Sequence, residues 1–234
     1  MIDTAHIIER LGKGRKLIIV HGNADMDALG SAYALRCAFP DADILAPSGL
    51  DRVTKMVAEK IDIAVLEDAD PSKYDLTVVV DTSSPDLFQK DGLTIPQDTL
   101  VIDHHAPTGK WEGKDYHCDP ERTSCAEIVY SIIRAAGKTP DRASGLALLG
   151  GMLTDGGHFQ FADNQCLRTF AEIMEICDIM HAEIVDMSKT HMIIQICQSP
   201  DKIALFVSMM SGISVVEVAR TGTLALPKCN VLEN

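Results

Sequence analysis

Basic residues are scarce in this sequence relative to acidic ones. Its 234 residues include 21 lysines and arginines against 34 aspartates and glutamates, which gives a formal net charge of −13. A protein that coats long nucleic acid needs a basic stripe that displaces counterions from the phosphates. The charge balance therefore argues against long duplex nucleic acid as a partner. A small anionic substrate remains compatible with it if a local feature reverses the field at the site.

Other patterns are missing as well. The seven cysteines form no C-x-x-C pair and are odd in number, which favours reduced thiols over a disulfide framework. The longest apolar runs are far shorter than the ~20 residues that a membrane span needs. The first ten residues, interrupted by Asp3, His6 and Glu9, lack the pattern of a signal peptide. We therefore expect a cytoplasmic protein with no membrane partner.

The residues that are present indicate a folded domain. Hydrophobic residues make up 46% of the chain, enough for a sizeable core, and the length suits one large domain with at most a fragment of a second. Short apolar runs that predict strands are Lys16–Val20, Ile44–Ala46, Ile63–Leu66, Leu76–Val80 and Leu100–Ile102. Helical patterns cover Asp27–Phe39, Asp51–Lys60, Ser124–Ala136, Asp141–Leu153 and parts of Gln165–Ser188. This alternation predicts an α/β fold, a mostly parallel sheet flanked by helices.

The pattern changes near Lys189–Asp201, which we take as a domain boundary. A further strand is predicted at Ile203–Ser208. The few tens of residues after the boundary are too short for an ordinary second domain. The sequence therefore predicts a short C-terminal fragment of one.

Four acidic segments stand at the ends of predicted strands or between apolar stretches: His21–Asp27, Asp81–Ser84, Asp103–His105 and Leu153–Gly157. Ligands of parallel sheets bind beyond the carboxyl ends of the strands. Several carboxylates gathered there repel one another unless cations neutralise them. Mixed oxygen and imidazole ligands suit Mn²⁺, Mg²⁺, Fe²⁺ or Co²⁺. Two such ions ~3.5–4 Å apart can clamp a phosphoryl group, and Asp81 is central enough to bridge them.

Each segment also has an ordinary interpretation. Asp25 and Asp27 can be a helix N-cap and a first-turn acid. Asp81 with Thr82 can form a turn, and the two adjacent histidines can be surface residues. Four such segments in one chain favour a common site over four coincidences.

Together the four segments resemble the motifs of the DHH phosphoesterases, over about residues 15–190. HGNADMDALGS (His21–Ser31) resembles H-x-x-P-D-x-D-A-x-G-S, and VVDT (Val79–Thr82) matches the second motif. Asp103-His104-His105 is the third motif, and TDGGHF (Thr154–Phe159) resembles T-D-T-G-x-F. Ala24 replaces a proline and Gly156 a threonine, which removes no ligand. The family includes RecJ-type exonucleases, NrnA-type oligoribonucleases, exopolyphosphatases and family II inorganic pyrophosphatases. The first and fourth motifs look closer to the RecJ and NrnA branch.

The resemblance implies a division of the chain and a set of metal ligands. Residues 1–188 would form a Rossmann-like DHH catalytic domain that includes a linker helix, and residues 189–234 an incomplete substrate-binding domain of the DHHA1 type, without its Gly-Gly-Gly-His loop. The implied ligands of one metal ion are His21, Asp25 and Asp81, and those of the other are Asp27, Asp81, His104 and Asp155. The implied cofactor is a pair of Mn²⁺ ions, with Mg²⁺ or Co²⁺ as substitutes.

The resemblance also implies an activity. Asp103 would orient the histidines, His105 would face the substrate phosphate, and a water activated by two metal ions would attack phosphorus. The expected activity is an exonuclease or phosphatase that hydrolyses phosphoester bonds of short oligonucleotides, dinucleotides or nucleoside bisphosphates. The alternatives are a pyrophosphatase or polyphosphatase, and a catalytically impaired module that binds metal and nucleotides. A monomer and a homodimer both stay open.

Further residues are candidate substrate contacts. Arg122 and Ser124 open a predicted helix whose N-terminal amides could bind phosphate, with ordinary capping and an exposed arginine as the alternative. His158 could contact substrate or could simply lie at the surface. Trp111 could stack on a base, although a loop anchor is the favoured interpretation.

Overall fold

The computed structural model describes residues 2–177, 182–187, 192–209 and 218. Its strands are β1 (Lys16–Ile19), β2 (Ala42–Leu45), β3 (Leu76–Val80), β4 (Thr99–Asp103), β5 (Asp115–Cys118), β6 (Ala182–Met187) and β7 (Met192–Ile196). Its α-helices are α1 (Thr4–Leu11), α2 (Met26–Ala38), α3 (Arg52–Lys60), α4 (Cys125–Ala135), α5 (Arg142–Asp155), α6 (Asn164–Ile176) and α7 (Pro200–Met209). Two 3₁₀ helices, Pro71–Lys73 and Pro85–Asp91, precede β3 and β4.

Strands β1 to β5 form one parallel sheet in the order β2-β1-β3-β4-β5. The chain passes from β1 to one side and then returns to the other side of β1 at β3. At such a reversal the connections leave in opposite directions and open a crevice at the carboxyl ends of the strands. The predicted α/β fold with a mostly parallel sheet is confirmed, and the crevice lies where two of the acidic segments begin.

The central strands are buried on both faces, as their continuous apolar runs require. Ile18 of β1 and Val78 of β3 face the larger core cluster, which the α-helices cover. Leu17 and Val79 face a smaller cluster with Phe88, from the 3₁₀ helix Pro85–Asp91. Strand β4 ends in the third acidic segment, Asp103–His105, and helix α5 on the first face ends in the fourth, Leu153–Gly157.

Helices α2 and α5 pack closely through small residues. A Cβ on Gly30 would lie 2.4 Å from the carbonyl oxygen of Ala147, so only glycine permits this approach. Gly151 of α5 is equally constrained, because its Cβ would lie 2.7 Å from Oδ1 of Asp27. These two contacts bring the end of α5 next to the start of α2.

Asp115 fastens α1 to the edge strand β5. Its carboxylate lies 2.9 Å from Nε2 of His6, 2.9 Å from Nε2 of His117 and 2.9 Å from Nη1 of Arg10. Although burial alone would raise it, the two imidazole rings hold the pKa of Asp115 below its usual value. The first helix is thereby tied to the sheet by a network of charge-assisted hydrogen bonds.

Several elements differ from the sequence predictions. The run Ile63–Leu66 forms only an isolated bridge between Leu66 and Leu45, and Leu66 is exposed. The predicted strand Ile203–Ser208 lies inside α7, whose start at Pro200 is a helix signal. The stretch Gln165–Ser188, expected to hold one or two helices, contains helix α6 as far as Ile176 but also strand β6 from Ala182, which was not predicted. Short apolar runs suit a buried helix face as well as a strand, which explains these errors.

Strands β6 and β7 form a separate antiparallel pair with an irregularity between Ile184 and Asp186. The predicted boundary after residue 188 falls between them, and the division into two domains stays a prediction. Within the described ranges we find no helix with the length and apolar character needed to cross a membrane.

Candidate metal centre

The first acidic segment joins β1 to α2. Asn23 adopts a left-handed conformation with φ 56°, which asparagine tolerates better than most residues. Asp25 is the N-cap of α2, and its Oδ1 accepts hydrogen bonds from the amides of Asp27 and Ala28 at 3.0 Å each. The capping interpretation of Asp25 is therefore correct. The same turn also places its second oxygen near His21, so capping and ligation are compatible.

Asp81 occupies a strained position at the end of β3. Its φ is 53° and its side chain is only 2% exposed, while its amide donates to the carbonyl oxygen of Ile102 at 2.9 Å. A left-handed residue with a Cβ persists where the surrounding structure fixes it, commonly at functional sites. This backbone conformation directs the Asp81 carboxylate into the crevice between β1 and β3.

The two oxygens of Asp81 face different histidines. Oδ2 lies 4.0 Å from Nε2 of His21, which is also 4.0 Å from Oδ2 of Asp25. Oδ1 lies 3.3 Å from Nε2 of His104. One carboxylate is thereby shared between two clusters of potential ligands.

The second cluster gathers around His104. Its Nε2 lies 3.1 Å from Oδ2 of Asp155 and 3.7 Å from Oδ2 of Asp27. The ligand atoms of each cluster lie within 4.8 Å of one another, and the clusters are His21, Asp25 and Asp81, and Asp27, Asp81, His104 and Asp155. These are the two ligand sets that the family resemblance implied.

The donor atoms of this site fit a divalent metal. In the part of the chain that the structure describes, Oδ1 of Asp81 and Nε2 of His104 are buried without a well-aligned hydrogen-bond partner. Nδ1 of His104 lies 3.3 Å from the carbonyl oxygen of Arg122. Because a carbonyl can only accept, Nδ1 carries the proton, which leaves the lone pair of Nε2 for a metal ion.

Without positive charge this cluster is electrostatically unfavourable. Burial raises the pKa of Asp27 well above its usual value, and the charges of Asp81 and Asp155 raise it further. Burial and Asp81 also raise the pKa of Asp25. Although burial alone would lower it, contacts with the carboxylates of Asp155 and Asp81 raise the pKa of His104 to about 11. Divalent ions would supply the missing positive charge and displace these protons.

Asp27 has a second function in the fold. It is fully buried, and its oxygens accept hydrogen bonds from the amides of Cys125 at 2.6 Å and Ala126 at 2.8 Å. These amides open α4, where the helix dipole favours a negative charge. Gly151 lets α5 approach the same carboxylate. Asp27 therefore links three helices at the edge of the candidate centre.

The segment Asp103-His104-His105 is organised by its aspartate. Asp103 is fully buried, and its Oδ1 accepts from the amide of His104 at 2.9 Å and from Nδ1 of His105 at 2.8 Å. Its Oδ2 accepts from the hydroxyl of Tyr116 at 3.2 Å. The Asp103 carboxylate raises the pKa of His105. Asp103 thus orients the ring of His105 and fixes the backbone of His104, and His105, 44% exposed, keeps Nε2 available at the site.

The comparison with known families identifies this arrangement. Residues 15–152 match the model of the DHH family, N-terminal domain, which is more than half of the chain. The chain belongs to the DHH family. The resemblance predicted from the four motifs is thereby confirmed, and so is the membership of a family of metal-dependent phosphoesterases.

Three similar proteins each match about 70–74% of this DHH protein. The uncharacterized protein MJ0988 of Methanocaldococcus jannaschii is 26% identical over 183 residues, 72% of this chain and 54% of that protein. An exopolyphosphatase-related protein of Bacteroides fragilis has a similar structure, with a TM-score of 0.61 at 19% identity, over 74% of this chain and 56% of that one. A protein of Methanococcus jannaschii assigned to the family II inorganic pyrophosphatases also has a similar structure. Its TM-score is 0.55 at 21% identity, over 70% of this chain and 56% of that one. This chain therefore spans about half the length of the proteins it matches.

The C-terminal part matches a different family. Residues 164–229 match the model of the small subunit of acetolactate synthase. Over 59 residues the chain is 37% identical to a protein of Archaeoglobus fulgidus assigned as such a subunit, which covers 25% of this chain and 37% of that protein. A truncated DHHA1 domain at 189–234 stays a prediction, and this similarity relates the segment to another family.

The remaining predicted contacts of this DHH protein lie in different settings. The Arg122 side chain pairs with Asp119 at 3.3 Å. Ser124 is fully buried, and its hydroxyl caps α4 by accepting from the amide of Glu127. Its predicted substrate contact is therefore not supported, and ordinary capping is the better interpretation. His158 is exposed in the turn after Asp155.

Trp111 is a loop anchor rather than a stacking surface. It is 2% exposed, and its indole N–H donates to the carbonyl oxygen of Thr82 at 2.8 Å. The loop before β5 is thereby attached to the turn that follows Asp81.

Sequence reasoning missed three supports of the site. The hydroxyl of Tyr116 on β5, the amides that hold Asp27, and the space that Gly151 leaves all lie outside the four motifs. The polar strand Asp115–Cys118 carries no apolar signal, which concealed Tyr116. The amides belong to the backbone and have no residue signature.

Proposed function

We propose that this chain is a metal-dependent phosphoesterase that hydrolyses phosphoester bonds of short oligonucleotides, dinucleotides or nucleoside bisphosphates. The observation that carries the proposal is the Asp81 carboxylate shared between two ligand clusters. Its family membership supports the reaction class. The specific substrate and the use of Mn²⁺ are part of the proposal.

The ligand chemistry supports two hard or borderline divalent ions. The clusters supply carboxylate oxygens and imidazole nitrogens, a set that suits Mn²⁺, with Mg²⁺ or Co²⁺ as substitutes. When bound, such a pair supplies charge neutralisation at phosphorus and an acidified water as the nucleophile. Residues His21, Asp25 and Asp81 would hold one ion, and Asp27, Asp81, His104 and Asp155 the other.

The chain's own residues supply positioning and a proton-bearing contact. Asp103 holds the ring of His105 by its Nδ1, so that Nε2 is the nitrogen that can contact a phosphate oxygen. The hydrogen bond to Asp103 raises the pKa of His105, which favours the protonated ring, and a charged donor to the phosphate would stabilise charge that develops there.

The acidic surface favours a small substrate. Two divalent ions would change the formal charge of −13 to about −9. The four positive charges of the two ions would offset the four ligand carboxylates, so the field at the reacting phosphate need not be negative. Long nucleic acid would still meet a negative surface beyond the site.

The test is hydrolysis of a dinucleotide and of bis-p-nitrophenyl phosphate by the purified, metal-loaded protein. We expect turnover with Mn²⁺, none after chelation, and none in Asp81→Asn. Asp68→Asn is the matched control, because Asp68 is an exposed acid outside the site, and we expect it to retain full activity. A fully metal-loaded protein that is inert on both substrates would refute the proposal.

A second candidate is hydrolysis of pyrophosphate or polyphosphate. It is favoured by the fold similarity to proteins described as exopolyphosphatase-related and as a pyrophosphatase. Phosphate release from pyrophosphate, with no cleavage of the dinucleotide, would support this alternative over the first.

A further inference from the structure

The turn that follows Asp155 has an unusual backbone. Gly157, His158 and Phe159 are consecutive left-handed residues with φ of 57°, 55° and 71°. Residues with a Cβ adopt this conformation uncommonly, and those that do are found preferentially at active sites and ligand-binding turns. Asp155 is a proposed metal ligand, so the turn begins at the candidate centre.

The turn is held firmly in place. The amide of His158 donates to the carbonyl oxygen of Leu153 at 2.8 Å, and that of Phe161 donates to Gly156 at 3.1 Å. Phe159 is 5% exposed and packs edge-on against Phe170, with ring centroids 4.7 Å apart. Buried packing and backbone hydrogen bonds thus fix the strained residues.

Phe161 leaves this turn towards solvent. It is 67% exposed, the highest value among the exposed large apolar side chains of the described ranges. A Cβ on Gly157 would lie 2.9 Å from Cε2 of Phe161, so the ring lies against the glycine backbone, two residues from Asp155. A single exposed apolar residue is ordinary. An exposed aromatic ring on a fixed turn beside a proposed metal ligand calls for a functional explanation.

We propose that Phe161 is a stacking platform for a nucleobase, and that the substrate class of the centre is therefore nucleotides rather than inorganic phosphates. This inference rests on the proposed function. Every base presents a π face that stacks on an aromatic ring, largely independently of sequence. The metal ions would bind the phosphate, and Phe161 would bind the base of the same molecule. Pyrophosphate has no group that such a ring can bind.

The experiment compares adenosine monophosphate with inorganic phosphate as ligands of the Mn²⁺-loaded full chain. Binding of each is measured by calorimetry for the wild type, Phe161→Leu and Phe161→Trp. Loss of one stacking contact weakens binding by roughly 5- to 150-fold. We expect Phe161→Leu to bind adenosine monophosphate about 10-fold or more weakly, with phosphate binding unchanged. Phe161→Trp retains a ring and should bind the nucleotide as well as the wild type.

The outcomes separate this inference from the proposed function. Equal nucleotide affinity in the wild type and in Phe161→Leu overturns the platform, and so does a wild type that binds the nucleotide no better than phosphate. Either result leaves hydrolysis of bis-p-nitrophenyl phosphate untouched. A wild type that binds the nucleotide through Phe161 but cleaves no ester supports the platform and refutes the proposed function. Because Phe161 is exposed, we expect Phe161→Leu to unfold at the wild-type temperature.

Discussion

Replacing Asp81 by asparagine exchanges one of its two carboxylate oxygens for an amide nitrogen. Asparagine keeps the size of the side chain and tolerates the left-handed backbone at this position, where φ is 53°. Its amide offers one oxygen, so it can contact one ion but cannot bridge two. We therefore expect Asp81→Asn to bind at most one Mn²⁺ ion where the wild type binds two.

The magnitude follows from binding linkage. An ion that binds only the native state adds about 2.7 kcal/mol to the free energy of unfolding at 100 times its dissociation constant. Two sites together add about 5 kcal/mol. For a chain of this size a change of 1 kcal/mol moves the melting temperature by about 2–4 °C. The wild type should gain about 10–20 °C on metal saturation, and Asp81→Asn half of that or less.

The assay is thermal unfolding with and without Mn²⁺, combined with the metal content of the dialysed protein. Asp68→Asn again serves as the control, and it should respond to Mn²⁺ as the wild type does. Without metal we expect Asp81→Asn to be no less stable than the wild type, because the Asp81 charge raises the pKa of Asp25 and Asp27 by repulsion. Two ions bound to Asp81→Asn with wild-type affinity would refute the shared-ligand arrangement.

Three further substitutions test other parts of the structure. His105→Ala should retain both metal ions but lower kcat by about 10²-fold, as loss of a contact to developing charge does; unchanged kcat in steady-state assays would exclude that role. Gly30→Ala should lower the free energy of unfolding by about 1–3 kcal/mol through overpacking, and a raised melting temperature would contradict the close helix approach. Asp115→Asn should lower the free energy of unfolding by about 1–2 kcal/mol at pH 7, measured by denaturant titration. His6, His117 and a neighbouring arginine stabilise the charged carboxylate, so the stability difference between wild type and variant is fully present above the unfolded pKa of 3.8 and should disappear as the pH falls through the lower folded pKa. A constant difference down to pH 2 would contradict this.

The sequence predicted the sheet where strands are central. Lys16–Val20 and Leu76–Val80 are β-branched runs buried on both faces, so their composition alone marks them. The edge strand Asp115–Cys118 is half-buried and polar and has no such signature. Strands that are buried on both faces of the sheet are therefore recognisable from the sequence, whereas a half-buried edge strand is not.

The candidate site was predictable to the level of residues but not of contacts. Because parallel sheets bind ligands at the carboxyl ends of their strands, the sequence alone predicts that His21, Asp81 and Asp103 lie at one edge. This rule says nothing about which oxygen faces which histidine. The left-handed turn at Asp81, which assigns its two oxygens to His21 and His104, follows from tertiary packing.

Asp27 and Asp155 differ in what the fold gains from them. Asp27 accepts hydrogen bonds from the amides at the start of α4. Asp155, in contrast, is the last residue of α5, where the helix dipole disfavours a negative charge. In a descendant of this protein that no longer catalysed a reaction, folding would still require Asp27, whereas substitution of Asp155 would increase stability. Among descendants of this chain, Asp155 is therefore the residue whose presence reports selection for metal chemistry.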